Sequence, residues 1–164
     1  MSASWQGQTL AEWPQRALGW LVDWGIGVGG FLVVYIIGLI LGAVSSALAV
    51  LFLVIAVFGS LGWTIWLAVQ LGQTGQTPGM RLIGLKAIKS DTGQPLGAGT
   101  AVLRWLVHVV LQAACTIPGI VDYLFPLWDQ QKQTLADKAV GSVILVVPKQ
   151  GFSLVPPPQQ QSGY

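Results

Sequence analysis

Several of the few ionisable side chains in this sequence lie inside long apolar segments. Arg16 and Asp23 stand at the start of the first apolar segment, and Arg104 and His108 lie in a later one. Ionisable groups within membrane helices often mark ion or proton paths, and a histidine can exchange a proton near neutral pH. These residue types predict either an ion or proton site or a set of structural ion pairs that fix helix packing.

The spacing of Arg16 and Asp23 indicates that each meets a different part of the protein. Seven residues are almost two helical turns, so both side chains fall on one helix face, about 10 Å apart along the axis. At that separation they cannot touch in a straight helix, and each is expected to contact another segment. The candidate partners are Arg104, His108, Asp122, Asp129, Lys132, Asp137 and Lys138.

Arg104, His108 and Gln112 recur every four residues and therefore form a polar stripe on one helix face. Such a stripe must face protein, water or lipid headgroups. His108 is a candidate proton acceptor, although a lone histidine at such a position is more often a hydrogen-bonded packing residue. The chain has one histidine and one cysteine, Cys115, so a transition-metal site and an internal disulfide are not expected. No cofactor motif and no nucleophile–base set is recognisable, and we do not expect an enzyme.

The overall composition points to an apolar environment. Hydrophobic residues make up 53% of the chain and charged residues 9%, with a mean hydropathy of +0.66, whereas soluble domains carry about 25% charged residues. The net charge of +2 is small and its basic residues are scattered, so a nucleic-acid partner is not expected. The predicted partner is the lipid bilayer.

Two membrane spans are predicted near the N-terminus. No charged residue occurs from Trp24 to Met80, and one span requires about 20 apolar residues. We place the spans at about 18–44 and 48–69, with a turn at Ser45-Ser46. Residues 1–15 lack a basic cluster and a cleavage motif, so the first span is expected to be retained as an anchor.

A third apolar segment, 101–127, contains polar residues and is interrupted by Pro118-Gly119. Residues 105–117 form only about 20 Å of helix, which is short for a span. The segment is predicted to be either one kinked span or a short, re-entrant helical hairpin that breaks at Pro118-Gly119.

Basic residues flank this segment on both sides. Arg81, Lys86 and Lys89 precede it, and Lys132, Lys138 and Lys149 follow it. Both flanks are therefore expected to be cytoplasmic, which favours the hairpin and places the N-terminus in the cytoplasm.

The remaining segments predict a small β-ribbon. Residues 81–97 read as a strand closed by a turn, and the β-branched run 141–147 is a candidate partner strand. The predicted fold is an all-α membrane protein with two long transmembrane helices, a third short helical hairpin and a small cytoplasmic ribbon. We divide the chain into a cytoplasmic segment 1–14, a transmembrane domain 15–147 and a disordered tail 148–164 rich in proline and glutamine.

Four stretches of the sequence together resemble the RDD family of mostly bacterial membrane proteins. They are RALGWLVD at 16–23, GQTPGMRLIGLKAI at 75–88, AVLRWL at 101–106 and LWDQQKQTLADKAVGSVIL at 127–145. By this resemblance Arg16 is the family arginine and Asp23 one of its two aspartates, and the other is Asp129 or Asp137. The resemblance implies a transport role, which has been proposed for the family, with sodium/proton exchange suggested for some members.

These observations predict two alternative functions. The first is an ion- or proton-coupled transporter, or a transporter accessory, in the cell membrane, with a polar cluster that joins the first helix to segment 129–138. Its residues would be Arg16, Asp23, Arg104, His108, Asp129 and Asp137. The second is a non-catalytic scaffold that binds a partner membrane complex. A homo-oligomer is also considered, because Gly38 and Gly42 form a G-x-x-x-G pair that could serve as a dimer face.

Overall fold

The computed structural model describes residues 3–114 and 116–154 and is mostly helical. The helices are α1 Trp13–Gly42, α2 Ser46–Thr74, α3 Pro78–Ile83, α4 Ala98–Ala114, α5 Thr116–Leu124 and α6 Leu135–Val140, with a 3₁₀ turn at Phe125–Leu127. The strands are β1 Ser4–Trp5, β2 Gln8–Thr9, β3 Leu85–Lys89 and β4 Ser142–Val146. The predicted fold class is confirmed. Most of the predicted disordered tail, residues 155–164, lies outside the described residues.

Helices α1 and α2 are long and apolar enough to cross a membrane. They contain 30 and 29 residues. In the most apolar stretch of 18 residues in each helix, only 6% is buried within the protein. The core helix of a soluble protein would bury its apolar side chains, whereas Ile40, Val50 and Phe58 are at least 60% exposed. At 1.5 Å per residue each helix is about 45 Å long, so it extends beyond a hydrocarbon core of about 30 Å.

Glycines allow α1 and α2 to pack closely as an antiparallel pair. Gly27 lies against the Trp63 ring, Gly38 against Phe52 and Gly42 against Ala49. A side chain at any of these glycines would overlap its neighbour across the seam. Gly38 and Gly42, the predicted dimer face, are therefore used for packing within one chain.

Two stacked tryptophan pairs mark one level along the helix pair. Trp20 stacks on Trp24 in α1, and Trp63 stacks on Trp66 in α2. The Trp63 Nε1 donates to the backbone oxygen of Asp23, 3.1 Å away, so the two pairs lie side by side. Amphipathic indole rings gather at the boundary between hydrocarbon and headgroups, and this level is therefore the expected membrane interface.

The predicted ribbon is confirmed as the antiparallel pair β3–β4, in which Leu85 faces Val146 and Lys89 faces Ser142. The N-terminal segment extends it through a bridge between Leu10 and Leu145. The second small pair, β1–β2, was not expected from the sequence. The buried apolar core lies under this ribbon, not between α1 and α2; it comprises Ala11, Leu71, Met80, Leu85, Ala87, Leu96, Ala101 and Ile144.

Helices α4 and α5 fold back on each other as a hairpin. Gly119 of α5 lies against Gln112 of α4, and Tyr123 stacks on His108 with ring centroids 5.3 Å apart. The expected break at Pro118-Gly119 is wrong, since both residues lie within α5 and α4 already ends at Ala114. A proline is tolerated in the first turn of a helix because the backbone N–H it lacks has no partner there.

Candidate functional site

The central feature of the polar residues is a buried carboxylate, Asp137, held by two arginines. The Arg16 Nη1 of α1 lies 2.8 Å from its Oδ2, and the Arg104 Nε of α4 lies 2.7 Å from its Oδ1. Two further donors complete its coordination, the Thr134 backbone N–H and the Ser142 hydroxyl, at 3.1 and 2.8 Å. We call these five residues the Asp137 cluster. It joins the first span, the hairpin, α6 and the ribbon.

Local sequence explains why Asp137 is placed so firmly. Thr134 and Asp137 form a capping box at the start of α6, in which the Thr134 hydroxyl accepts from the Asp137 backbone N–H. The Asp137 side chain is 0% exposed. Burial by itself would raise its pKa, but the charges of Arg104 and Arg16 outweigh burial and hold the pKa of Asp137 well below its usual range.

Asp137 is expected to set how stability changes in acid. The pKa of an aspartate in the unfolded chain is about 3.9, and the folded value lies below it, so the unfolded state takes up the proton first as pH falls. The stabilisation by Asp137 should be constant from neutral pH to about pH 5 and then decline progressively below about pH 4. Unfolding of the wild type and Asp137→Asn at several pH values measures this. A difference between them that already shrinks from pH 8 to pH 5 would contradict the assignment.

Asp23 occupies a second polar site that is separate from the Asp137 cluster. Its Oδ2 accepts from the Thr77 hydroxyl at 2.5 Å, and its Oδ1 accepts from the Gly79 backbone N–H at 2.7 Å. Asp23 is 7% exposed. The expectation that Asp23 joins segment 129–138 is wrong, because the partners of its carboxylate lie at the start of α3. Arg16 does join that segment, through Asp137.

His108 and Asp122 form a third polar contact, inside the α4–α5 hairpin. The His108 Nδ1 meets the Asp122 Oδ2, while the other oxygen of Asp122 accepts from the Ala136 backbone N–H of α6 at 3.0 Å. Asp122 is 1% exposed. Because one carboxylate contacts both α4 and α6, this pair ties the hairpin to the ribbon side of the protein.

Asp129, the other candidate for the second family aspartate, lies outside these three sites. Its Oδ1 pairs with the Lys138 Nζ at 2.6 Å, and its Oδ2 accepts from the Gln131 and Gln133 backbone N–H groups at 3.1 and 3.0 Å. Burial would raise its pKa, but the Lys138 hydrogen bond and charge lower it. The Lys138 side chain is 44% exposed, so this is a loop-fixing pair near the surface.

Sequence reasoning missed the residues that complete these sites. The stretch GQTPGM at 75–80 supplies Thr77 and Gly79 to Asp23, although neither residue is among the partners that the sequence predicts for it. A signal was present, because a threonine directly before Pro-Gly is typical of a helix N-cap, and α3 does begin at Pro78 with a Thr77 cap. Within the part of the chain that the structure describes, histidine, cysteine and carboxylate side chains form no group of three that could hold a metal ion.

The model of the RDD family matches residues 10–141, a range that contains every residue of the sites described above except Ser142. No solved structure matches.

Three curated relatives are similar to this chain. Proteins named "Proline-rich antigen homolog" from Mycobacterium tuberculosis strains CDC 1551 / Oshkosh and ATCC 25618 / H37Rv are each 27% identical over an alignment of 159 residues that covers 85% of this chain. A "Proline-rich antigen" from Mycobacterium leprae strain TN is 43% identical over 76 residues, 46% of this chain and 29% of its own length. The chain spans 65% of the length of the M. tuberculosis relatives.

Proposed function

This chain belongs to the RDD family, and from that premise we propose that it is a non-catalytic membrane scaffold, an accessory to a partner membrane complex. In this proposal the two spans anchor the protein, and the buried polar residues hold a small module outside the hydrocarbon core. That module consists of α3, α6 and the β3–β4 ribbon. The proposed location is the cell membrane, with the module and both basic flanks in the cytoplasm.

The observation that carries this proposal is the saturation of the Asp137 carboxylate. It accepts four hydrogen bonds from side chains and backbone and is fully buried. A carboxylate that binds and releases ions in a transport cycle needs ligand positions that can open, whereas each oxygen of Asp137 already has two donors. Such a group acts as a lock between elements, and Asp23 and Asp122 likewise bridge one element to another.

A photo-cross-linking experiment tests the scaffold role. Thr92 lies exposed in the turn after β3, and Val44, between α1 and α2 at the other end of the helix pair, is 83% exposed. A photoreactive residue at position 92 in the native membrane is expected to give a discrete protein adduct that recurs between preparations. The matched variant at position 44 is expected to give lipid adducts. Identical patterns from the two positions would count against a partner at the module.

Ion- or proton-coupled transport is the second candidate function. It is supported by the His108–Asp122 pair, since Tyr123 both stacks on His108 and lines an open cleft of about 480 Å³ together with Gln112 and Ile120. A histidine–carboxylate pair beside a cleft has the chemistry of a proton relay.

A flux assay separates the two functions. Sealed proteoliposomes with imposed sodium and proton gradients would be compared for wild type, Asp23→Asn and His108→Gln. We expect no gradient-driven flux from any of them and lower stability of Asp23→Asn, because Asp23 loses its charge-assisted bonds, each contributing about 1.5–3 kcal/mol. Flux from the wild type that disappears in either variant, with that variant still folded and inserted, would replace the scaffold by the transporter.

A further inference from the structure

Arg81 is a fully buried arginine that belongs to none of the sites described above. It lies in α3 and is 0% exposed. Its guanidinium donates to neutral oxygens only: the backbone oxygen of Ser153 at 2.9 Å, the Gln70 Oε1 at 3.0 Å, and the Gln76 oxygen and the Thr74 hydroxyl at 3.4 and 3.5 Å. Its Nε is buried and has no hydrogen-bond acceptor.

The charge of Arg81 lacks a direct counter-ion. Among residues 3–114 and 116–154, the ion pairs within 4.0 Å involve other cations. Asp23 acts on Arg81 only through space, since the donors to its two oxygens are the Thr77 hydroxyl and the Gly79 backbone N–H. An unpaired buried charge is destabilising, and an unmatched Nε–H adds to that cost. The surroundings of Arg81 are therefore short of one anion.

The position of Arg81 along the helix pair indicates which anion can reach its guanidinium. Its partners Gln70 and Thr74 lie one and two turns beyond Trp66 in α2, and Trp66 belongs to the tryptophan level that marks the expected membrane interface. One turn is about 5.4 Å, so the guanidinium lies at the depth of lipid headgroups. The common anion at that depth is a phosphate, which arginine binds through several parallel N–H donors.

A short strap covers Arg81 from the C-terminal side. We call residues 147–154 the C-terminal strap. It is fixed by two backbone bonds, from the Val147 N–H to the Gly84 oxygen at 2.9 Å and from the Gln150 N–H to the Arg81 oxygen at 3.2 Å. Gly84 has φ +83°, and a Cβ there would overlap the Val147 oxygen, so glycine permits this close approach. In addition, the backbone oxygen of Ser153, which belongs to the strap, accepts a hydrogen bond from the Arg81 guanidinium.

We propose that Arg81 is a phosphate-binding residue and that the backbone oxygen of Ser153 occupies its site in this structure. A phosphate takes the Nη1 donor that Ser153 now accepts and the unmatched Nε donor, and the C-terminal strap is released. The phosphate belongs either to an anionic lipid headgroup or to a soluble phosphate. This proposal does not depend on the scaffold function.

Trypsin cleavage after Lys149 reports release of the strap. Lys149 is exposed, but its bond to Gln150 lies between the two backbone hydrogen bonds of the strap, made by Val147 to Gly84 and by Gln150 to Arg81, so cleavage requires the strap to open. The full chain would be placed in nanodiscs of neutral phosphatidylcholine, of phosphatidylcholine with about one third phosphatidylglycerol, and of phosphatidylcholine with millimolar inorganic phosphate. Cleavage after Lys132 in the same samples is the internal control.

The expected result is cleavage after Lys149 that is several-fold faster with phosphatidylglycerol, while cleavage after Lys132 is unchanged. Acceleration by phosphatidylglycerol alone identifies a lipid headgroup, and acceleration by inorganic phosphate identifies a soluble ligand. Arg81→Gln should be cleaved rapidly under all three conditions, and the charge-matched control Lys89→Gln should behave as wild type. If the wild-type rate is the same in all three samples, the proposal is overturned, whether or not Arg81→Gln folds.

Discussion

Replacing Asp137 by asparagine is expected to lower the free energy of unfolding by about 3–5 kcal/mol, the cost of removing one partner from a buried ion pair. The carboxylate is fully buried and lies 2.8 and 2.7 Å from Arg16 and Arg104. Asparagine fills the same volume but leaves two guanidinium groups with no counter-charge in the cluster. Unfolding in mixed micelles, followed by circular dichroism, measures the loss.

Asp129→Asn is the matched control for Asp137→Asn. It makes the same chemical change eight positions earlier in the chain, but its partner Lys138 is 44% exposed. Exposed ion pairs contribute about 0–1 kcal/mol, and asparagine can still accept from the Gln131 and Gln133 backbone N–H groups. Equal losses from the two variants would show that Asp137 is not a buried lock.

Replacing Gly79 by alanine is expected to separate α3 from α1. A Cβ at position 79 would overlap the backbone oxygen of Gly19 and stand 3.0 Å from the Asp23 carboxylate. The helix must therefore move, which costs about 1–3 kcal/mol for overpacking, and the Gly79 N–H loses its 2.7 Å bond to Asp23, which is worth about 1.5–3 kcal/mol. A total loss of at least about 2.5 kcal/mol should appear in the same unfolding measurement.

Gly29→Ala provides the control for Gly79→Ala. It adds the same methyl group to α1 at a position with nothing within 4 Å, and alanine favours a helix interior over glycine by about 1 kcal/mol. We therefore expect Gly29→Ala to be neutral or stabilising. If Gly79→Ala were equally harmless, α3 would not be held against α1 in the way the structure describes.

The long helices and the ribbon could be predicted from sequence because their signals are local. The long, mostly apolar stretch without a charged residue from Trp24 to Met80 predicts spanning helices, and β-branched residues in 141–147 favour a strand. The break in the hairpin could not be placed, because a proline marks a helix boundary only to within its first turn. The pair β1–β2 contains two residues per strand, which is too short for any periodic pattern.

The site was predicted as a set of residues but not as a set of contacts. Arg16, Arg104 and Asp137 are 33 to 121 positions apart in sequence, and nothing in their spacing distinguishes Asp137 from Asp129. The choice is made by the capping box of α6, which fixes the Asp137 side chain beside the arginines. The Asp23 carboxylate accepts hydrogen bonds from the uncharged Thr77 and Gly79, whereas the sequence predicted ionisable partners for it.

The central claim is that Arg16 and Asp137 lock the first span to the module, and a double-mutant cycle tests it most directly. Unfolding free energies would be measured for wild type, Arg16→Met, Asp137→Asn and the double variant. Residues in one ion-pair network show interaction energies of about 0.5–3 kcal/mol, whereas independent sites add within about 0.5 kcal/mol. We predict an interaction energy of at least about 1.5 kcal/mol, because Arg16→Met also removes one of the uncompensated cations. If the losses in unfolding free energy from the two single variants simply add in the double variant, Arg16 and Asp137 do not stabilise each other and the claim is wrong.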